Sequence, residues 1–506
     1  MIVLDQNTLL ALAPPAFVAL LGLLLVIVDM ARPGRDRPVT AVAVAGLLLG
    51  MALTVVVGPL PGVGLLSGPQ EGFSGAYVRD SLTVFLDLLM MAVALLTVLY
   101  GPDYLRPRGL PSAEFSATLL FAITGAMLIA GARDLLLLFL ALELLVLPGY
   151  MLAGYAKRDG LSTEGAIKYF LLGSFSSAIF LFGLVFVFGY TGTTRIPEVA
   201  AQISTLVGEG GVGSLAPGLV MGLALLTAGA AFKIAAVPFH YWTPDAYQGS
   251  PTPITGYLSV GPKVAAFALI LRLFVEALGP IKADWTPFVA VLAALTMTLG
   301  NLVALSQDNI KRMLAYSSIA HTGYILVGLA AFGAAAPGSA GEQAGLVSIL
   351  FYSVAYTFMN LGAFACVAAL QRRPGVTSQL ATFSGLIGRA PLLALLMTLF
   401  LLSLVGIPPL AGFWAKVFII QAAVSVGGWL NVLAVLTVVN AALAAFYYLR
   451  VVVYMWMREA PEGAGPATVG GSTRAGLWLA AVLTVALGIV PFFVTVLAEE
   501  AALALL

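Results

Sequence analysis

The sequence predicts an all-α membrane protein with about 14 transmembrane helices. Of the 506 residues, 61% are hydrophobic and only 9% are charged, whereas soluble domains carry roughly 25% charged residues. The apolar residues are grouped in stretches of about 20, the length that crosses the hydrocarbon core of a bilayer. Because lipid offers the backbone no hydrogen-bond partners, each stretch should be a helix. A water-soluble globule is therefore excluded.

Fourteen such stretches follow one another along the chain. Their approximate bounds are 8–30, 39–59, 78–100, 114–132, 134–155, 164–190, 217–240, 252–278, 286–305, 310–333, 345–370, 391–421, 428–457 and 473–497. The sixth, twelfth and thirteenth are longer than the hydrocarbon is thick, so we expect them to tilt, kink or extend beyond it. The loop at about 191–216 should hold one short surface helix before a glycine-rich turn.

The positions of lysine and arginine predict the orientation. Fourteen of them fall in alternate loops: Arg32, Arg35, Arg37, Arg106, Arg108, Lys157, Arg158, Lys311, Arg312, Arg372, Arg373, Arg389, Arg458 and Arg474. The intervening loops hold four: Arg79, Arg133, Arg195 and Lys282. Basic loops stay on the cytoplasmic side of a membrane. Both termini are therefore predicted to lie on the outer side.

Two spans contain helix-breaking residues next to a lysine. In the seventh, Pro238 follows Lys233 by five residues, and in the twelfth, Pro408 and Pro409 precede Lys416. Proline removes a backbone donor and clashes with the preceding turn, so each span should form two half-helices beside a polar cavity. Such breaks in corresponding positions of two halves are typical of inverted-repeat transporters. The alternative is that two common proline kinks coincide by chance.

This pattern predicts one membrane domain, 1–506, that contains two inverted five-helix repeats. Residues 114–278 would form the first repeat, spans 4–8, and residues 286–457 the second, spans 9–13. Residues 1–100 and 473–497 would supply the accessory spans 1–3 and 14. Each repeat then contains one broken helix.

Charged residues inside the spans are the candidate functional residues, because each costs about 2.5–3.5 kcal/mol to insert. They are Glu143, Lys168, Lys233, Lys263 and Lys416. Desolvation destabilises an ammonium relative to the neutral amine, which lets a buried lysine exchange a proton. One buried acid with several buried lysines is the composition of a proton path. The alternatives are a packing role for the carboxylate and, for Lys168 near a span end, snorkelling to the interface.

Five further residues in or near the spans are less specific. His240 and His321 suit a proton relay, since imidazole exchanges protons near neutral pH, but a hydrogen-bonded structural imidazole is the alternative. Asp87, Arg272 and Arg450 are interpreted as interhelical pairs or interface anchors.

The composition gives no sign of a cofactor. The chain has one cysteine, Cys366, and its two histidines lie outside any metal-ligand motif. No glycine-rich nucleotide motif follows a strand-like segment. The formal net charge of +1 gives no indication of nucleic-acid binding. We expect no cofactor-binding, metal or nucleotide site in this chain.

Three segments resemble the antiporter-like subunits of respiratory complex I and their cation/proton antiporter relatives. They are AFKIAAVPFHYWTPDAYQGSPTPITGYLSVGPK, NLVALSQDNIKRMLAYSSIAHTGY and GIPPLAGFWAKVF. The resemblance extends over spans 4–13 and implies fourteen helices with two inverted repeats. It implies an ion pair between Glu143 and Lys168, a central Lys233, a connecting Lys263 and an exit-side Lys416.

The resemblance also implies the function. The chain would move a proton across the membrane as a subunit of a proton-translocating NADH-quinone oxidoreductase, without a redox centre of its own. NADH, flavin, iron–sulfur clusters and quinone are expected in partner subunits, and the partners would include a neighbouring antiporter-like subunit. A bacterial plasma membrane is the expected location.

Other functions are compatible with the same features. A subunit of a multi-subunit sodium/proton antiporter or of a membrane hydrogenase would share the proton path but have a different driving reaction. A structural membrane scaffold would use the buried charges only for packing. An independent solute transporter is disfavoured, because no span offers a clear substrate pocket.

Overall fold

The computed structural model describes residues 6–32, 34–59, 64, 68–208 and 210–506. In this part of the chain, twelve helices are long and apolar enough to cross a membrane. The predicted all-α membrane architecture is therefore confirmed. The two regions predicted to be broken are occupied by shorter helices.

The first half of the chain consists of helices and one small hairpin. The helices are α1 (Gln6–Ala31), α2 (Asp36–Val56), α3 (Ser81–Leu105), α4 (Ser112–Gly131), α5 (Leu135–Ala153), α6 (Gly160–Thr191), α7 (Ile196–Val207), α8 (Pro217–Lys233), α9 (Trp242–Gly249) and α10 (Thr252–Ile270). The π-helical segment Leu271–Ala277 extends α10. Helix α7 is the short helix predicted in the loop 191–216.

The second half contains only helices and turns in its described residues. They are α11 (Lys282–Ala304), α12 (Ile310–Ala334), α13 (Ala340–Leu370), α14 (Leu386–Arg389), α15 (Pro391–Val405), α16 (Ala411–Val426), α17 (Leu430–Met457), α18 (Gly471–Ile489) and α19 (Phe492–Leu503). The predicted last span, 473–497, is divided between α18 and α19. Pro491 lies at the division and cannot donate the backbone hydrogen bond that a continuous helix needs.

A small hairpin before α3 was not predicted. Strands β1 (Gln70–Gly72) and β2 (Tyr77–Arg79) pair antiparallel, with Gln70 opposite Arg79. The Arg79 side chain is fully buried and donates hydrogen bonds to the carbonyls of Thr54 and Val57, at 2.9 and 3.0 Å. The end of α2 is thereby joined to the hairpin.

Helices α10, α12 and α13 form the centre of the molecule. Nearly every residue of their apolar segments is buried, whereas α1, α2, α6 and α17 expose large apolar side chains. A helix that is apolar on all sides belongs in a core, and one with an exposed apolar face suits lipid. Gly323 on α12 lets α11 approach, because a Cβ there would lie 2.3 Å from the Met297 nitrogen. A charge in the middle of a central helix, such as that of Lys263, is consequently buried.

The three charged residues interpreted as structural each contact a neighbouring element of the fold. Asp87 pairs with Arg79 at 3.1 Å. Arg272 pairs with Asp80 at 2.8 Å and also with Glu276. The guanidinium of Arg450 donates to the carbonyl of Leu305, at 3.1 Å, and to that of Gln307, both just beyond the end of α11.

Candidate functional site

The first broken helix has its interruption where the prolines predict it. Helix α8 ends at Lys233, and the chain then turns through 234–241 before α9 begins. A helix end leaves carbonyls without partners. Here neutral side chains satisfy two of them: the Trp242 indole donates to the Phe232 carbonyl at 3.2 Å and the Thr322 hydroxyl to the Ile234 carbonyl at 2.9 Å.

Because other groups cap the end of α8, the Lys233 ammonium is directed elsewhere. Lys233 is 6% exposed, and its Nζ donates to the Ser177 hydroxyl of α6 at 3.0 Å. The carboxylate of Glu143 on α5 lies within electrostatic range of Lys233. One Glu143 oxygen is buried without a hydrogen-bond partner among the described residues. Glu143 and Lys233 thus share a poorly solvated region between α5, α6 and α8.

The predicted ion pair between Glu143 and Lys168 is not formed among the described residues. Helices α5 and α6 run side by side so that Tyr150 packs on Tyr169, with ring centroids 4.7 Å apart. Lys168 is therefore level with Tyr150, seven residues beyond Glu143. At 1.5 Å per residue, this offset is about 10 Å along the helix. Lys168 is partly exposed and reaches a different carboxylate.

That carboxylate belongs to Asp245, a residue that the sequence reasoning missed. The Lys168 ammonium lies 2.8 Å from Asp245 on α9 and 2.6 Å from Glu164 on its own helix. Asp245 also accepts from the Arg312 guanidinium at 2.6 Å. A signal was present, because Asp245 is the one acidic residue in the apolar segment 234–262.

Lys311 was counted with the basic loops, and the structure corrects that assignment. It lies in the first turn of α12 and is 4% exposed. Its ammonium donates to the carbonyls of Gln248 and Ser250, at 2.8 and 2.5 Å. Lys311 therefore caps the end of α9 from inside the protein. The packing of α9 against α12 contributes to this burial, which the position of Lys311 in the sequence does not reveal.

Lys263 on α10 is connected to the first break. Its ammonium donates to the Ser318 carbonyl at 2.7 Å and to the Thr322 hydroxyl at 3.1 Å. Thr322 is the residue whose hydroxyl reaches Ile234, next to Lys233. One threonine of α12 thus lies between the two lysines.

His321 occupies the position between Lys263 and the second break. Its Nδ1 is 2.7 Å from the Tyr352 hydroxyl and its Nε2 is 3.2 Å from the Tyr448 hydroxyl. Both Lys263 and Lys416 lie within electrostatic range of the ring. His321 is therefore a hydrogen-bonded imidazole that also lies among the predicted relay lysines.

The second broken helix is divided into α15 and α16. Gly406, at φ +97°, ends α15 in a backbone conformation that favours glycine. Lys416 lies on α16, as predicted, and its ammonium reaches back to the carbonyls of Leu404 and Val405, at 2.6 and 2.7 Å. A cation at a helix C-terminus is favourable both as a donor and for the helix dipole.

His240 lies apart from this line, in the turn between α8 and α9. Its ring stacks on Tyr241 with centroids 4.6 Å apart. Its Nδ1 is buried without a hydrogen-bond partner in the described part of the chain. Four buried residues thus form one line, with the half-buried Glu143 near its Lys233 end and Lys168 and His240 to the side: Lys233, Lys263, His321 and Lys416.

A group of three or more histidine, cysteine, aspartate or glutamate side chains suited to a metal ion does not occur among the described residues. The side chains along the buried line carry ammonium, carboxylate, imidazole and hydroxyl groups. All of these bind and release protons or orient water.

Comparison with known proteins identifies the family. Residues 132–443 match the family model described as NADH:quinone oxidoreductase/Mrp antiporter, TM. NADH-quinone oxidoreductase subunit N of Trichlorobacter lovleyi is 39% identical over 492 residues, with 96% of each chain covered. The subunit N of Myxococcus xanthus is 43% identical over 476 residues, covering 90% of this chain and 88% of that one.

Solved structures show the same fold. A chain of respiratory complex I from Thermus thermophilus with bound aureothin superposes with a TM-score of 0.76 at 33% identity, covering 96% of this chain and 99% of that one. A chain of the Mrp complex from Dietzia reaches a TM-score of 0.81 at 22% identity, covering 99% and 98%. At 22% identity, the similarity to the Mrp complex chain shows a shared fold and nothing about function.

Within this family, Lys416 on the twelfth span and the segment IKYFLLGSFSSAIFLFG predict the subunit N type. The curated relatives named above confirm that prediction. The chain therefore belongs to the NADH:quinone oxidoreductase/Mrp antiporter family and is related over nearly its whole length to the subunit N members of that family.

Proposed function

We propose that this chain is the proton-translocating subunit N of a bacterial NADH-quinone oxidoreductase, complex I. It moves a proton across the membrane while other subunits reduce quinone. The observation that carries the proposal is the buried line from Lys233 through Lys263 and His321 to Lys416, in a chain 33% identical to one of a complex I structure. A cation at membrane depth is costly and marks a path for ions or protons.

The proton path begins at Glu143 and Lys233. Thr322 connects the end of α8 to Lys263, and His321 follows toward Lys416. Protons hop between these groups through hydroxyls and intervening water. Lys168 and His240 act from the side of the first break.

The arrangement of the helices supports fourteen spans. Twelve are continuous, and α8 with α9 and α15 with α16 count as one broken span each. Two inverted repeats, 114–278 and 286–457, each then contain one broken helix, with the accessory spans in 1–100 and 473–497. Both termini lie on the outer side, as the basic loops predict.

The redox chemistry belongs to partner subunits. NADH, flavin, iron–sulfur clusters and quinone are bound there, and a neighbouring antiporter-like subunit packs against this chain. Quinone reduction changes the electrostatics along the membrane subunits, and Lys233 responds by changing its proton affinity.

The alternative is a subunit of a multi-subunit sodium/proton antiporter. It is considered because a chain of the Mrp complex has the same fold. Isolation of the assembly in mild detergent distinguishes the two. Peripheral iron–sulfur subunits that co-purify with this chain support complex I. Sodium-dependent proton exchange by an assembly without them supports the antiporter.

The decisive test is Lys233→Ala in the assembled complex, with NADH-driven quinone reduction and proton pumping measured in proteoliposomes. We expect a loss of roughly tenfold or more, because one positioned proton-transfer group is typically worth 10²–10⁴-fold in rate and water replaces only part of it. Lys157→Ala, at an exposed lysine, is the matched control and should leave both rates unchanged. Unaltered pumping by Lys233→Ala contradicts the proposal.

A further inference from the structure

The half-helix α9 is held by three cations that come from two other helices. Lys168 of α6 and Arg312 of α12 both bind the Asp245 carboxylate, at 2.8 and 2.6 Å. Lys311, also of α12, donates to the carbonyls at the other end of α9. An eight-residue helix has little stability of its own. The position of α9 therefore depends on these contacts.

The two basic helices contribute unequally to this arrangement. Arg312 and Lys311 are adjacent on α12, one of the central helices, and the Lys311 side chain is buried. Lys168 is 44% exposed on the outward-facing α6 and shares its charge with Glu164. Lys168 is thus the most exposed of the three cations, and Lys311 is the most buried.

A row of aromatic rings continues from Lys168 to Lys233. The Tyr169 ring stacks on Trp242 with centroids 4.4 Å apart and an interplanar angle of 13°. Trp242 in turn stacks on Phe232, at 5.6 Å and 27°. The Trp242 indole also donates to the Phe232 carbonyl. The residues next to Lys168 and Lys233 are thus joined through the first residue of α9.

We propose that α9 transmits the movement of Lys168 to Lys233, with Asp245 as the positioning residue that holds Lys168 on α9. This inference rests on the proposed function. In the state described here, Lys168 is bound to Asp245 and lies far from Glu143. When Lys168 leaves Asp245, α9 loses one of its three cationic contacts and shifts on α12. The hydrogen bond from the Trp242 indole to the Phe232 carbonyl carries that shift to the end of α8 and repositions the Lys233 ammonium.

The test compares the two carboxylates that bind Lys168. Asp245→Asn in the assembled complex should lower the number of protons pumped per NADH by roughly three- to tenfold, which lies within the range of about 2- to 30-fold for residues that carry coupling between sites. Glu164→Gln removes the other partner, an exposed i,i+4 pair, and should change the ratio by less than about twofold. Asp245→Glu should restore most of the ratio.

The ratio of protons pumped to NADH oxidised separates this role from a structural one, because misassembly lowers both rates together. If Asp245→Asn fails to assemble, Trp242→Phe decides, since it retains an aromatic ring but lacks the indole N–H donor to Phe232. It should assemble and lower the ratio about twofold. An unchanged ratio in an assembled Asp245→Asn complex, or in Trp242→Phe, overturns the proposal.

The Lys233→Ala complex serves as the reference. If Lys233→Ala loses pumping while Asp245→Asn pumps normally, the link through α9 is wrong and the proposed function stands. If Lys233→Ala pumps normally, the proposed function itself fails.

Discussion

The two broken helices place a lysine beside the interruption but use it differently. At the first break, Trp242 and Thr322 satisfy the carbonyls at the end of α8, and the Lys233 ammonium has one hydroxyl partner, Ser177. At the second break, Lys416 itself satisfies two carbonyls at the end of α15. The Lys233 ammonium therefore does not cap the end of α8, whereas the Lys416 ammonium caps the end of α15.

This difference assigns the lysines distinct physical roles. A cation bound to two helix-terminal carbonyls is stabilised in its charged form, whereas a cation with one neutral hydroxyl partner responds mainly to nearby charges such as Glu143. We infer that Lys233 is the group whose proton affinity changes most during turnover, and that Lys416 combines proton release with a structural role.

The largest expected difference between the two broken helices is in the stability of lysine variants. Lys416→Met leaves the carbonyls of Leu404 and Val405 without their donor, at a cost of about 1–3 kcal/mol for each buried group. Lys233→Met leaves the end of α8 capped but removes the cation near Glu143, so it should cost less stability than Lys416→Met. Thermal release of this subunit from the purified complex measures both. Equal losses in the two variants would mean that the two breaks are alike.

A smaller effect is expected from the neutral cap of the first break. Thr322→Val preserves the shape of the side chain but removes the donor to Ile234 and the acceptor for Lys263, and should destabilise the subunit by about 1–3 kcal/mol. Coupled turnover should fall as well, because Lys263 loses its connection to α8. Thr357→Val is the matched control, since that hydroxyl bonds within its own helix to Ser353. If both variants behave alike in thermal release and turnover, the hydroxyl of Thr322 has no special role.

The smallest effect concerns His321, between the two breaks. Tyr352→Phe removes the hydroxyl 2.7 Å from Nδ1, which should cost about 0.5–1.5 kcal/mol and slow turnover slightly. Tyr257→Phe is the control, because its buried hydroxyl has no hydrogen-bond partner among the described residues. Removal of that hydroxyl should be neutral or stabilising. A Tyr352→Phe complex as stable and as active as the control would argue that the imidazole does not depend on this bond.

Much of the fold was predictable, because apolar length alone identifies a membrane helix. The break after Lys233 and the position of Lys416 on the second half-helix also followed from the prolines. The partner of Lys168 could not be predicted, because it depends on how far α5, α6 and α9 are shifted along one another. Lys311 was assigned to a loop for the same reason, since charge and position near a helix end do not reveal burial.

The all-α membrane fold, with charges inside two broken spans, follows from the amino-acid sequence alone. Lipid leaves the backbone of a 20-residue apolar stretch no alternative to helix, and a buried charge is costly wherever its helix packs. The pairing of side chains depends instead on how the helices pack, which brings together Lys168 and Asp245, Lys263 and Thr322, and Lys416 and the end of α15. Such contacts form between separate helices, and their register is set by side-chain packing that no local pattern encodes.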